Sequence, residues 1–206
     1  MNVLLLNGSP HRQGCTAVAL DEMAKTLAEC GVESETMWIG AKPVRGCIAC
    51  GGCRGKGRCV FDDDPANLLI EKMAQADGLV VGSPVYYASA NGSLVSLLDR
   101  AFYACGGFAG KPAAAVASAR RAGTTATLDE LNKYFTICGM PVVSSTYWNM
   151  LHGNTAEEAR RDAEGLQTMR NLARNMAWLL RCIEAGAQAG AVFPQQEGGI
   201  RTNFIR

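Results

Sequence analysis

Residues 3–16 read Val3-Leu4-Leu5-Leu6-Asn7-Gly8-Ser9-Pro10-His11-Arg12-Gln13-Gly14-Cys15-Thr16. Consecutive apolar residues without alternation are the pattern of a strand buried on both faces, as in a parallel sheet. Gly8-Ser9-Pro10 ends the run. Residues 16–30 then carry Leu20, Met23, Ala24 and Leu27 at helical spacing, and Gly31 stops them in the way glycine commonly ends a helix. Strand, turn and helix in that order make one βα unit.

Outward from this unit the alternation repeats. Residues 34–39 form a weaker strand, and Asp64-Pro65 offers an N-cap with proline at the first helical position. Leu69, Met73 and Ala76 share one face of the helix that follows. Residues 78–82 are the clearest central strand, succeeded by a helix striped with Leu94, Leu98, Ala101, Phe102 and Cys105. Residues 113–117 read as a fourth strand. Thr127 and Glu130 form a capping box for a helix bearing Leu128, Leu131, Phe135 and Cys138. Pro141-Val142-Val143 reads as the fifth strand, and a second capping box, Thr155 with Glu158, opens a long helix to about Ala185. Five such units wind into an α/β three-layer sandwich with right-handed crossovers. The organisation expected is one domain over residues 1–185, with a cysteine-rich loop at 46–62 after the second strand. A tail at 186–206 follows. It is either disordered or an arm over a second subunit, and the apolar Phe193, Ile200, Phe204 and Ile205 favour the arm.

The chain has 206 residues, of which 20 are Lys or Arg and 19 Asp or Glu, so no charge excess points to nucleic acid or an anionic membrane. The first apolar run is too short for a signal peptide and no stretch is long enough to cross a bilayer. The expectation is a cytoplasmic protein, in which 9 cysteines are not a disulfide framework.

Three strand-to-helix loops carry unusual chemistry, and ligands of a doubly wound sheet bind outside the carboxyl ends of its strands. The first, residues 7–16, offers glycines, the hydroxyls of Ser9 and Thr16, a basic residue and a helix N-terminus, which suit a phosphate monoester. It is neither GxGxxG nor a P-loop; the alternative is a solvated turn. In the second, Gly82-Ser83-Pro84-Val85-Tyr86-Tyr87-Ala88-Ser89-Ala90-Asn91-Gly92, adjacent tyrosines in a small-residue loop suit a planar heteroaromatic ligand. Otherwise one tyrosine packs inward and the other is merely exposed. In the third, Ser118-Ala119-Arg120-Arg121-Ala122-Gly123-Thr124-Thr125, arginine can pin an electron-rich ring edge, unless both are simply solvated. Of the two histidines, His11 belongs to the first loop and His152 to a polar turn. Trp38, Trp148 and Trp178 read as packing or interface residues, with Trp148 able to reach a neighbouring subunit's site.

The most specific segment is Cys47-Ile48-Ala49-Cys50-Gly51-Gly52-Cys53-Arg54-Gly55-Lys56-Gly57-Arg58-Cys59. C-x2-C-x2-C followed by a fourth thiol suits one loop wrapping an iron–sulfur cubane, as in bacterial ferredoxins. A structural zinc site, redox disulfides and plain thiols remain open, although zinc favours two separated CxxC knuckles.

With these residues in view, the chain resembles the iron-sulfur flavoproteins and the wider NADPH-dependent FMN reductase group of flavodoxin-like proteins. The resemblance rests on Asn-Gly-Ser-Pro at 7–10, the compact cysteine run ending in Val60-Phe61-Asp62-Asp63-Asp64, Gly-Ser-Pro-Val-Tyr at 82–86, and Asp99-Arg100. It implies a flavodoxin-like sandwich with a five-stranded parallel sheet in the order 2-1-3-4-5 and one FMN per protomer. The FMN phosphate would sit on Ser9, His11, Gly14, Cys15 and Thr16. The isoalloxazine would lie against Pro84, Val85, Tyr86 and Tyr87, with Arg120 and Arg121 beyond. Asn91, Ser118 and Gly123 on the same loops complete the set. It further implies a [4Fe–4S] cluster on Cys47, Cys50, Cys53 and Cys59, and a homodimer or homotetramer. Two departures stand out: Cys15 replaces a commoner asparagine or serine, and paired arginines replace a glycine-rich third loop.

The function expected is an FMN-dependent oxidoreductase passing electrons between a small-molecule or ferredoxin-like donor and an acceptor through FMN and a [4Fe–4S] cluster. The alternatives are a cluster-free reductase of flavin or quinone that takes NAD(P)H as co-substrate, and a non-catalytic binding module with a zinc loop. Electron transfer needs no side-chain acid or base, so no catalytic residue is assigned.

Overall fold

Why a continuous apolar run works as β1 (Asn2–Asn7) is plain from the two layers it separates. Leu4 and Leu6 point into one core beneath the sheet, while Val3 and Leu5 point into the other. The structure is a computed structural model, and it describes residues 1–198, 200 and 202. Among them β2 (Glu33–Trp38), β3 (Gly78–Pro84), β4 (Ala113–Ala119) and β5 (Met150–His152) complete a parallel sheet in the order β2-β1-β3-β4-β5. The fold class and strand order are those expected.

Helices cover both faces. The first core packs Leu69 and Met73 of α2 (Ala66–Gln75), Leu94, Leu97 and Leu98 of α3 (Gly92–Cys105), and Leu131 and Phe135 of α4 (Thr124–Ile137). The second packs Leu20, Met23 and Leu27 of α1 (Cys15–Glu29) against Met169, Leu172 and Met176 of α6 (Ala163–Gln188), with α5 (Ala156–Ala159) at its edge. Leu4, Leu5 and Leu6 are each at most 1% exposed, so each contributes about 2 kcal/mol of apolar burial. The winding reverses at β1, whose neighbours are β2 and β3, and there the loops after β1 and β3 splay apart into a crevice. Gly8 sits at that switch: its N–H donates to the Gly82 carbonyl (2.8 Å), and a Cβ on it would meet Leu94 Cδ2 at 2.4 Å. Only glycine fits there.

The fifth strand differs from the expectation. Val142 makes only an isolated bridge to Ala113, after which the chain leaves the sheet and rejoins β4 at Met150–His152. Residues 144–149 bulge outward because other groups take over their bonds. The Asn149 side chain donates to the Ala115 carbonyl (3.0 Å), where a strand amide would otherwise stand. Ser145 Oγ donates to Thr168 O (2.6 Å), and Asn175 Nδ2 donates to Ser144 O (2.8 Å), tying the bulge to α6.

Helix starts also shift. α4 begins one turn before Thr127, with Gly123 at the N-cap (φ +93°), so Thr127 is buried inside the helix and no capping box forms. Its Glu130 instead accepts from Ser89 Oγ (2.5 Å) and the Ala90 amide (3.2 Å). At α2 the N-cap is Pro65, and Asp64 Oδ1 accepts from the Ala66 amide (3.1 Å). Thr155 does cap, accepting from the Glu158 amide, but its helix is α5 alone. Asp162 then starts α6 afresh, with one carboxylate oxygen on the Gly165 amide (2.9 Å) and the other on the His152 amide (2.7 Å). α6 continues to Gln188, three residues into the segment read as tail. Phe193 folds back over Gly110, where a Cβ would lie 2.8 Å from its ring. Phe204 and Ile205 lie outside the described residues. No described helix is long and apolar enough to cross a membrane.

Candidate functional site

The β1–α1 loop is wound around a buried side chain. Asn7 is 2% exposed; its Oδ1 accepts from the Ser9 amide (3.1 Å) and its Nδ2 donates to Arg12 O (3.2 Å). Ser9 Oγ accepts from the His11 amide (3.1 Å), and Trp38 Nε1 at the end of β2 donates to Ser9 O (2.7 Å). The Arg12 guanidinium lies over the Trp38 ring, 5.7 Å from its centroid, within cation–π reach. Asn91, at the N-cap of α3, donates from Nδ2 to Gly8 O (2.7 Å). Gly8 and Ser9 are therefore tied to β3, α3 and β2, and the rest of the loop is braced on itself. Among the described residues no side chain caps α1, which leaves its first-turn amides and the positive end of its dipole available to an anion.

Around that N-terminus one pocket opens at the carboxyl edge of the sheet. The loop after β1 lines it with Ser9, His11, Gly14, Cys15 and Thr16, and the end of β3 with Pro84 and Val85. Ser118, Ala119 and Arg120 follow from β4, and residues 153–156 from β5. Thr16 Oγ1 and Ser118 Oγ are hydrogen-bonded at 2.8 Å and both residues are buried, which ties the first loop to the third. Cys15 Sγ donates to Gly153 O (3.4 Å). Burial pushes the Cys15 thiol above its ordinary range, its own backbone amide pulls the other way, and Glu158 and Glu157 push it further up. It is a neutral polar wall, not a thiolate nucleophile.

The remaining residues expected at the cofactor lie elsewhere. Tyr86 is half-exposed and Tyr87 fully exposed, at the tip of a short hairpin closed by the Val85–Ala90 bridge and the Tyr86 amide to Ser89 O (2.9 Å). Arg121 is exposed beyond the pocket, Asn91 is buried in loop ties, and Gly123 packs against Val85 at the start of α4. Sequence reasoning missed Ala119, Gly153, Asn154, Thr155 and Ala156. The last four follow β5, so placing that strand at 141–143 moved them off the sheet edge. The capping signal at Thr155 marked a strand-to-helix loop there.

A second pocket lies along the connection between β2 and α2. Cys47, Cys50, Cys53 and Cys59 all line it, together with Ile48, Phe61, Arg100 and Tyr103. All four are free thiols. Among the described residues no three Cys, His, Asp or Glu side chains come close enough to hold a single metal ion. The four thiols line one pocket without meeting at a single metal position. Glycines at positive φ turn the loop, Gly51 at +67°, Gly55 at +71° and Gly57 at +65°.

Cys59 is fixed from outside the loop. Asn67, 5% exposed on α2, accepts from the Cys59 amide at 2.8 Å and donates to Cys59 O at 3.0 Å and Phe61 O at 3.2 Å. Arg100 of α3 lies in the pocket wall at 2% exposure. Its Nη1 pairs with Asp64 Oδ2, and its Nη2 donates to Phe61 O (3.2 Å) and Cys59 Sγ (3.4 Å). Burial alone would lower its pKa, but the bonds from Asp64 and Cys59 outweigh this and hold it above the ordinary value. Its Nε–H is buried with no partner among the described residues.

A family model described as NADPH-dependent FMN reductase matches residues 1–155. An iron-sulfur flavoprotein of Methanocaldococcus jannaschii is 32% identical over 193 residues, 89% of this chain and 100% of that protein. One from Methanosarcina thermophila is 33% identical over 194 residues, 89% of this chain and 97% of that protein. Among solved structures, an NAD(P)H:quinone oxidoreductase from Methanothermobacter marburgensis superposes with a TM-score of 0.64 at 18% identity, covering 85% of this chain and 96% of that one. A flavodoxin from the domain Archaea superposes at 0.59 and 14% identity, covering 88% and 99%. At these identities the structural likeness shows a shared fold.

Proposed function

The chain belongs to the NADPH-dependent FMN reductase family, with the iron-sulfur flavoproteins, and from that premise we propose that it passes electrons between a reduced donor and a small-molecule or protein acceptor through FMN and a [4Fe–4S] cluster. The observation that carries the cluster is that all four cysteines of the 47–59 run line one pocket. A tetrahedral zinc with bonds of about 2.3 Å would need its sulfurs within about 3.8 Å of one another. Thiols spread around a space suit a larger, multi-iron group. The Nε–H of Arg100 in that wall, buried and without an acceptor among the described residues, is a donor suited to an anionic occupant.

When bound, FMN supplies conversion between two-electron and one-electron transfer, and the cluster supplies one-electron steps. The protein's part is binding and positioning. Ser9, the Gly14–Thr16 turn and the uncapped start of α1 would take the FMN phosphate, and Arg120 the electron-rich edge of its ring. Pro84 and Val85 form an apolar wall, and Cys15 remains protonated. The paired Thr16 and Ser118 hydroxyls keep the phosphate loop and the ring loop in fixed relation. Tyr87, fully exposed at the tip of its hairpin, would be available to a second subunit or a bound donor.

Iron, acid-labile sulfide and FMN per protomer on anaerobically purified protein test the reading. About four irons and four sulfides with one flavin support it. Flavin without iron overturns the cluster and leaves a reductase using NAD(P)H, the second reading. Near-zero pyridine-nucleotide turnover beside rapid reduction by a ferredoxin counts against that second reading.

A further inference from the structure

We propose that Arg100 is a positioning residue of the cysteine pocket: held by Asp64, it donates a hydrogen bond to the Cys59 sulfur and raises the reduction potential of the group that Cys59 ligates. This rests on the cluster reading above.

An arginine on the apolar face of a helix is anomalous. Leu94, Leu97, Leu98, Ala101 and Phe102 of α3 are all buried, and Arg100 is buried among them. A guanidinium removed from water needs its donors met and its charge balanced. Asp64 supplies the balancing charge and Phe61 O one acceptor. Were Arg100 only a structural ion pair, carbonyls and that carboxylate would suffice. Instead one arm of the fork ends on Cys59 Sγ at 3.4 Å, and Nε–H has no acceptor among the described residues. Both are donors at a wall shared by all four thiols.

Cys59 is also the cysteine whose backbone is clamped, by Asn67. Cys47 and Cys50 are exposed, on a stretch of the loop turned by glycines. The fourth ligand is therefore set by the scaffold and the other three by the loop. A buried positive charge and an N–H···S bond both stabilise the more negative, reduced state of a thiolate-ligated cluster, which raises its potential. Asp64 offsets part of the charge, so the directional hydrogen bond carries the effect.

Wild type, Arg100→Lys and the double variant Asp64→Asn/Arg100→Gln are reconstituted anaerobically. Iron, sulfide and FMN are assayed, and the cluster is titrated by EPR-monitored reduction. The expected result is full iron in all three, unchanged FMN, and a midpoint displaced negatively in the double variant. Arg100→Lys keeps the Asp64 pair but loses the second arm, so its shift has the same sign and a similar size; it remains the test if the double variant fails to fold. Full clusters with one common midpoint overturn the role of Arg100 while leaving the cluster intact. Wild type that takes up no iron overturns the cluster reading itself, and this inference with it.

Discussion

Replacing Asn67 by Ala should loosen the cysteine loop without unfolding the domain. Besides a bond to the exposed Asp62 carboxylate, the side chain makes three hydrogen bonds, at 2.8, 3.0 and 3.2 Å, to the backbone of Cys59 and Phe61. At about 1 kcal/mol net each these sum to about 3 kcal/mol. Cys59 and Phe61 are half-exposed, so water recovers part of this, and about 2 kcal/mol of local stability is lost. Since 1.4 kcal/mol is a factor of ten, hydrogen-exchange protection of the Cys59 amide should fall about 30-fold. The amides of β1 and β3 should hardly change, because Asn67 lies at the first turn of α2, where alanine is the better helix former. Exchange measured residue by residue checks both halves. Undiminished protection at Cys59 would refute the clamp. An equal loss across β1 and β3 would mean that Asn67 supports the whole domain.

Three further outcomes follow from the flavin side. Thr16→Val strands the buried Ser118 hydroxyl and should destabilise the apo protein by about 1–3 kcal/mol, whereas Thr16→Val/Ser118→Ala recovers most of it; chemical denaturation reads both. Gly8→Ala forces a Cβ against Leu94 and Gly82 O, so a loss of about 1–3 kcal/mol and weakened FMN binding are expected from melting and fluorescence titration. Cys15 gives a pH dependence. Its folded pKa lies above the unfolded value, so its contribution is fully present below the ordinary thiol range and is lost as pH rises through the raised value. Thermal melts from neutral to alkaline pH should therefore fall more steeply for wild type than for Cys15→Ser, and parallel curves would contradict the assignment.

The frame of the molecule was legible because unbroken apolar runs have one use in an α/β chain. Residues 3–6 and 78–82 leave no doubt about β1 and β3, and their turn-forming successors place the first two loops. What failed was local. Pro141-Val142-Val143 has the composition of a strand and keeps two backbone bonds to Ala113, but at the next carbonyl, Ala115 O, a side-chain amide from Asn149 takes the place of a ladder bond, and no periodicity encodes that substitution. The error propagated: with the last strand misplaced, residues 153–156 were missed as pocket lining. The apparent capping box at Thr127 and Glu130 failed for another reason. Its glutamate reaches across to Ser89 and Ala90, a tertiary use of a residue with a good local one. At the cysteine pocket the ligand spacing was visible, whereas the contributions of Asn67 and Arg100 depend on α2 and α3 meeting the loop in space.

That meeting constrains how the loop can be exchanged between proteins. Residues 46–62 look like a cassette, since they lie between two elements whose register they do not set. Yet excising them would leave the Arg100 guanidinium with Asp64 but without its acceptors on Phe61 and Cys59, and grafting them onto a shorter relative would supply thiols with no guanidinium behind them. A workable transplant must carry Asp64, Asn67 and Arg100 together, and a clean deletion must restore an apolar residue at position 100. For the same reason a buried arginine in that helix is a marker to look for in other chains, legible even where the cysteines themselves have been lost.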